Sequence, residues 1–550
     1  MIRRIFIIIS VLVFGTTASA QSLHTSRVGQ TEWGVQPRRE NDAQQVQKLL
    51  RVFQYLQKLY VEEVDMAPLT DQAIRAMLKE LDPHSAYIDA ETMLGVKEEF
   101  NGEFSGIGVE FGVLSDTIHV VNTIVGGPAE RVGMMPNDRI VRIDSLDAVG
   151  LKQHEVPKYL RGKRGTLVAL EVVRPGVEEV LHFVVERDRI PLNTVDCAYM
   201  ASDKVGYIKI NRFGRTTYEE LRAGYRKIGK PEDMILDLRG NGGGLLDQAI
   251  KVAGFFLKRN SVVVSTEGRA IESSSFANQT DGECLKGHLV VLIDANSASA
   301  SEIVSGAIQD WDRGLIVGRP SFGKGLVQRQ IELGDGSAVR ITMARYHTPS
   351  GRVIQRPYQK GKAKEYYLDH LRRYDDHTRD SLDRNAPVFY TLLNERPVKG
   401  GGGIHPDVLV ENDTTGYSDY YGELIRKGVM HEFVVGLIDR ERTDLEARYK
   451  NVEHFTADFA VNGKTIEELN VFAGERGLKP EKAEVETSRE WISTQLKALI
   501  AQRLYGVEGF YRVMNSAPNN SFGEALDLFT DWNYRAEHLL NPQKRVFKYK

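Results

Sequence analysis

Two short segments of this 550-residue chain carry residue types able to do chemistry together. Leu289 to Ile293 reads as a strand that leads through Asp294-Ala295-Asn296 into Ser297-Ala298-Ser299-Ala300-Ser301-Glu302, where a helical pattern running to about Trp311 begins. A serine at a strand-to-helix turn projects its hydroxyl from a fixed corner, and the free amides of the first helical turn can stabilise an oxyanion. The same residues fit a capping box, Ser299-x-x-Glu302, and on this segment alone the cap is the better-supported reading. The balance changes with Phe322-Gly323-Lys324-Gly325, which comes after the next strand, Leu315 to Val317. A lysine between glycines can be approached closely by backbone and buried, and burial lowers its pKa until the neutral amine can take a proton. Strand, serine turn, helix, strand and lysine loop place Ser299 and Lys324 at the same end of neighbouring parallel strands, which makes a Ser/Lys dyad geometrically reasonable.

Two other chemistries compete for these glycines. Gly318 to Lys324 fits G-x-x-x-x-G-K, a phosphate-cradling loop, but Gly325 stands where Ser or Thr would hold magnesium, and the residues from Leu326 on alternate like a strand. A nucleotide hydrolase is set aside on those grounds. Arg239-Gly240-Asn241-Gly242-Gly243-Gly244 joins the strand Met234 to Leu238 to a helix from Leu245 to Leu257, and lacks the third glycine of a dinucleotide fingerprint. It reads as a tight turn, or as bare backbone amides serving an oxyanion. The histidines form no HExxH and no close cluster with cysteine, so a metal site has no support.

The elements around these segments divide the chain. Strands and helices alternate from Val205 to Val317, which argues an α/β core; Leu326 to Leu333 and Ala338 to Ala344 form a hairpin beyond it. From about Gly102, short β-like runs separated by turns make a β-rich module, with one helical piece at Gln153 to Leu160. Asp42 to Leu81 has helical spacing, broken by Asp82-Pro83, and the last 135 residues or so are helical in pattern. The start, Met1-Ile2-Arg3-Arg4, an apolar run to Gly15 and Ala18-Ser19-Ala20, reads as a secretory signal cut after Ala20. The apolar run is shorter than the roughly 20 residues a membrane span needs. Composition is ordinary and globular, and a net charge of −3 predicts no nucleic-acid partner. Export permits a disulfide, yet Cys197 and Cys284 alone do not establish one, and two buried thiols is an equal reading.

Five motifs in order, Asp237 to Gly244, Ser297 to Ile303, Val317 to Gly325, Thr348-Pro349-Ser350-Gly351-Arg352 and Ile404-His405-Pro406-Asp407, resemble the carboxy-terminal processing proteases, or tail-specific proteases. The resemblance covers about residues 40 to 410. It implies Ser299 as nucleophile, Lys324 as general base, Gln328 orienting the lysine, and Asp310 as an acidic, more structural position in the helix. It also implies an oxyanion hole from the amide of Ala300 and a glycine of the 242 to 244 turn, Gly243 foremost. Gly242 stands where the family often has proline, which leaves open which amide points inward. The β-rich module resembles a PDZ domain, with Gly106, Ile107, Gly108 and Val109 in the place of the carboxylate-binding loop and Gly126 to Gly133 with Asp138-Arg139-Ile140 matching its middle.

The expected organisation is a signal over 1–20, a helical segment over 21–94, a PDZ domain over 95–190, a mixed-sheet α/β protease core over 191–412 with an insertion at 357–400, and a helical region over 413–550. The resemblance implies a serine endopeptidase of the periplasm or another extracytoplasmic space, soluble after signal cleavage, acting on proteins or peptides with free C-termini. It needs no cofactor, and an adaptor protein or homo-oligomer is left open. The competing reading is a non-catalytic PDZ scaffold on a protease-like fold.

Overall fold

A computed structural model of the chain describes residues 40–541 apart from 115, 125, 373–385, 412–414 and 519. The segment read as a secretory signal lies outside the described residues. The chain divides into a unit ending at Asp71 and a unit beginning at Gln72. The first holds the helix Glu40–Leu59 and the opening turns of the helix Met66–Lys79, in keeping with the helical spacing of that stretch.

The second unit is organised on a six-stranded sheet in the order Val195–Met200, Val205–Ile210, Asp233–Asp237, Leu289–Ile293, Leu315–Gly318 and Val408–Leu409. The first pair is antiparallel and every later pair parallel. Leu289–Ile293 is apolar at every position because both faces of the sheet are covered. Val291 and Ile293 face a core built with Leu221, Val252, Val304 and Ile308 of the crossover helices Thr217–Lys227, Leu246–Gly254 and Ala300–Asp310. Val290 and Leu292 face Phe522, Ala525, Leu528 and Trp532 from the end of the chain. Parallel neighbours joined by crossovers present their outgoing loops on one edge of the sheet. The loops at 238–245, 294–299 and 319–325 therefore meet there.

A second sheet is built on the long strand Ala338–His347. Leu326–Glu332 pairs along one of its edges, and Ala86–Ile88 with Val262–Glu267 along the other, all antiparallel. The strand Ala86–Ile88 interrupts the helical N-terminal reading: Pro83 stops the helix, and Tyr87 and Ile88 are buried as sheet residues. The β-rich module is an antiparallel sheet of Val109–Leu114, Thr117–Thr123, Arg139–Ile143, Leu167–Val173 and Leu181–Glu186 with its own core of Ile118, Val120, Ile140, Val168 and Val185. Its incoming and outgoing chains pair as a ribbon, Glu103–Gly106 with Asp188–Pro191. Helices from Asp419 onward enclose a further core that includes Leu424, Phe433, Phe455, Leu469 and Leu496. Cys197 and Cys284 are buried free thiols in different cores.

Candidate active site

The turn into the helix Ala300–Asp310 and its first residues carry three serines whose hydroxyls have different fates. Ser297 Oγ donates to the Leu238 carbonyl at 2.8 Å and accepts from Asp294 N–H at 2.9 Å. Ser301 Oγ donates to the Asn241 carbonyl at 2.8 Å. Both are fully buried. Ser299 instead lines an open cavity of about 610 Å³ at the loop edge of the core sheet. Its backbone is held at φ 54°, ψ −107°, a region that costs a non-glycine residue about 1–3 kcal/mol and persists only where the surroundings enforce it. Glu302, at the far end of the expected box, does accept the Ser299 N–H at 2.8 Å. The capping reading is thus realised in part, and it fixes the corner from which Ser299 projects.

Lys324 lines the same cavity. Burial pushes its ammonium below the ordinary lysine range; the nearby Arg340 guanidinium adds to this, and Glu302 and Asp82 oppose it. The flanking glycines are required by packing. A Cβ on Gly323, at φ +86°, would stand 3.0 Å from Arg356 Cβ, and one on Gly325 would stand 2.8 Å from the Gln355 nitrogen. These glycines let the lysine loop lie against the chain at 355–356, and the loop runs directly into the strand Leu326–Glu332, not into the helix a nucleotide site would need. Gln328 on that strand also lines the cavity, and its Nε2 donates to the His84 carbonyl at 2.7 Å.

Glu302 and Tyr346 join the two loops. The fully buried Glu302 accepts from Ser321 Oγ at 2.5 Å and Gly323 N–H at 2.6 Å on Oε1, and from Ser299 and Lys324 N–H groups at 2.8 and 2.9 Å on Oε2. Burial pushes its carboxyl pKa up, and these four donors oppose that rise. The Tyr346 hydroxyl reaches the Lys324 carbonyl at 2.5 Å and the Ser299 carbonyl at 3.1 Å. Neither role is visible from spacing, although Glu302 already stood out as the partner in a cap. The Asp82-Pro83-His84-Ser85 turn, legible in the sequence only as a helix breaker, also supports the site. Asp82 accepts from the N–H groups of His84 and Ser85, and Ser85 Oγ accepts from Thr342 N–H. Burial and the neighbouring Lys324 push the His84 imidazole down to about 4.

The glycine turn lies against the serine turn. A Cβ at Gly243, where φ is +105°, would stand 2.8 Å from the Ala298 carbonyl, 2.9 Å from Ser299 Cβ and 3.1 Å from the Ala300 nitrogen. Gly243 is thus the residue that permits this approach, and its N–H, expected as an oxyanion donor, is engaged within the turn. It donates to Asn241 Oδ1 at 2.9 Å, while Asn241 Nδ2 anchors on the Ile210 carbonyl. The Asn241 side chain, by folding back over the turn, takes the amide that the resemblance implied as an oxyanion donor. Among the described residues no hydrogen bond engages the N–H groups of Gly242, Gly244 or Ala300, and all three residues line the cavity.

Asp310 lies away from the cavity and is wholly buried, not a solvated helix charge. It pairs with Arg352 at 2.7 Å and accepts the Ser350 N–H at 2.9 Å. Asp407 accepts from Ile316 N–H at 2.8 Å and from Arg396 at 2.6 Å, so the Thr348 to Arg352 and Ile404 to Asp407 motifs brace the serine helix and its neighbouring strand. In the β-rich module, Ile107, Gly108 and Val109 line a groove of about 230 Å³ with Phe111, Pro157 and Leu160, between the edge strand Val109–Leu114 and the helix Val156–Leu160. Gly106 belongs to the ribbon, opposite Asp188.

A strained serine, a lysine depressed by burial and unbonded amides on one cavity form a set competent for acyl transfer without a metal. Among the described residues no group of acidic, histidine and cysteine side chains could hold one. Comparison with known proteins matches residues 204–361 to peptidase family S41, 105–183 to the PDZ domain, and 7–92 to the N-terminal domain of the activating protease CtpB. Residues 420–506 match a family of unknown function. A carboxy-terminal-processing protease of Bartonella bacilliformis is 38% identical over 327 residues, which cover 58% of this chain and 74% of that one. A Staphylococcus aureus protein named "Probable CtpA-like serine protease" is 36% identical over 319 residues, covering 57% of this chain and 64% of that one. A solved photosystem II D1 C-terminal processing protease is 26% identical, with 68% and 89% of the two chains covered and a TM-score of 0.35. The chain belongs to the carboxy-terminal-processing proteases, serine peptidases of family S41.

Proposed function

We propose that this chain is an exported endopeptidase that cuts protein substrates near their C-termini with a Ser299–Lys324 pair. The observation that carries the reading is the opening of both side chains on one cavity, with the other two serines of the turn buried and bonded. Neutral Lys324 takes the Ser299 proton as the hydroxyl attacks the scissile carbonyl, and returns it to the leaving amine. The resulting acyl-enzyme is released by water, for which Lys324 again acts as base. The Ala300 N–H and an unbonded amide of Gly242 or Gly244 hold the oxyanion. Gln328, anchored on the His84 carbonyl, fixes the wall beside the lysine.

The module over 95–190 holds the substrate's free C-terminus, its edge strand Val109–Leu114 accepting the peptide as an added strand. Export rests on the basic, apolar and small-residue order of the first twenty positions. Among the described residues no helix is long and apolar enough to cross a membrane. The test is incubation of the chain from Gln21 on, and of its Ser299→Ala form, with an unstructured protein. Cleavage by the first alone supports the reading. Binding without cleavage by either would support the non-catalytic scaffold instead.

A further inference from the structure

The wall of the catalytic cavity has a charge pattern that the proposed chemistry does not use. Two arginines, Arg340 and Arg212, line it beside Lys324, and among the described residues none of its lining is acidic, in a chain whose net charge is −3. Arg340 has no carboxylate within ion-pairing distance among the described residues. The one hydrogen bond its side chain makes among them goes from Nη2 to Gln330 Oε1 at 3.3 Å. Among the described residues Arg212 likewise has no carboxylate partner; its Nη2 reaches only the Asn193 carbonyl at 3.4 Å and its Nε is buried without a partner. Surface arginines without acids are common, but a half-buried one on the wall of a substrate cavity retains desolvation that a bound anion would offset.

The two arginines lie on different sides of Ser299. Gln330 pairs with Arg340 across the lysine hairpin and Gln328 with Thr342 two residues away, so Gln328, Gln330 and Arg340 share one face of the two strands. That is the face beside Lys324. A base that takes the serine proton must deliver it to the leaving amine, so the lysine side of the cavity receives the substrate beyond the scissile bond. Arg212 adjoins Phe213, whose N–H and carbonyl bond to the Gly243 carbonyl and Leu245 N–H, and so it flanks the oxyanion side.

We propose that Arg340 is a specificity residue that binds a substrate carboxylate on the C-terminal side of the scissile bond. The inference rests on the Ser299–Lys324 reading and names the substrate class that reading leaves open. The carboxylate can be an acidic side chain just beyond the cut or the terminal carboxylate of a short leaving piece. A charge-assisted bond of this kind corresponds to about tenfold to hundredfold in kcat/KM.

The test uses matched peptides cut by the full enzyme. One pair carries Glu or Gln beyond the scissile bond with the C-terminus amidated; a second ends two or three residues beyond it as acid or amide. The expected result is a preference for the carboxylate in at least one pair of at least tenfold, falling to about one in Arg340→Gln, kept in Arg340→Lys, and reversed toward a Lys-bearing peptide in Arg340→Glu. Each ratio is taken within one enzyme, so a change in Lys324 basicity cancels. The pair that responds identifies the source of the carboxylate. Equal cleavage of all four peptides by the wild type overturns the inference while leaving the protease reading intact, and this arm needs no variant to fold. A carboxylate preference that Arg340→Gln leaves undiminished also overturns it. Failure of the wild type to cut any of them, or any unstructured protein, would sink the underlying protease reading instead.

Discussion

The carboxylate of Glu302 is the contact through which the nucleophile turn and the base loop are held together, so Glu302→Gln is the most informative conservative change. Four donors converge on it, two on each oxygen. A glutamine keeps one acceptor and turns the other into an NH2 group, which must face two donors whichever way the amide is set. Hydrogen bonds to charged groups are worth about 1.5–3 kcal/mol each, and two are lost; with partial relaxation of the loops the net cost is about 2–4 kcal/mol. If Oε2 is the oxygen replaced, Ser299 and Lys324 lose their shared anchor. If Oε1 is replaced, Ser321 and Gly323 are released and the lysine loop moves. About 3 kcal/mol expressed in the transition state is roughly a hundredfold in rate. The expected outcome is a stability loss of that size in urea unfolding, together with a fall in kcat of about a hundredfold and KM changed by no more than a few-fold. A Glu302→Gln enzyme with wild-type kcat and midpoint would show that the carboxylate does not hold the two loops in register.

Cleavage should rise with pH along a limb set by Lys324, below the ordinary lysine value because burial favours the neutral amine, and His347→Gln and His405→Gln should leave that limb in place in a pH–rate series. The unfolded chain holds the lysine proton more tightly than the folded one, so stability from this group increases as pH rises from the folded toward the unfolded value. Lys324→Met should therefore be inactive yet at least as stable as the parent at pH below the folded value, which thermal unfolding of both proteins will show. Gly243→Ala should lower kcat at least tenfold, since its Cβ would press on the Ala298 carbonyl and Ser299, whereas Gly242→Ala, with open space at its Cβ, should stay within a few-fold. Excising 107–187 and closing the Glu103–Gly106 and Asp188–Pro191 ribbon with a two-residue turn should erase the preference for acid over amide C-termini on substrates whose end lies far beyond the cut. If the module only tethers, KM rises while kcat holds; if it also switches the enzyme, kcat moves.

Ser299, Lys324 and the strand, turn and helix that carry them were legible in the sequence, because strand runs and helix starts leave local signals and parallel order fixes which loops meet. Burial patterns were equally readable: Leu289 to Ile293 is apolar throughout since both sheet faces are covered. Contacts made across the chain leave no such signal in spacing. The fourfold role of Glu302, the bridge from Tyr346, and the support of Gln328 by a turn 244 positions earlier depend on tertiary placement alone. Gly243 shows the limit most clearly. The right turn was evident, but the amide is taken by Asn241, whose side chain could as readily have pointed to solvent. The strand Ala86–Ile88 was missed for a similar reason, since three residues after a proline carry little periodicity and owe their form to the edge they meet.

Mass spectrometry after reaction with a fluorophosphonate probe reports whether Ser299 is the nucleophile and Lys324 its base. A single adduct is expected on the 297–302 segment, placed on Ser299, absent in Ser299→Ala, present in Ser301→Ala, and formed far more slowly in Lys324→Ala. An adduct on Ser297 or Ser301, or undiminished labelling of Ser299 without Lys324, would contradict that assignment.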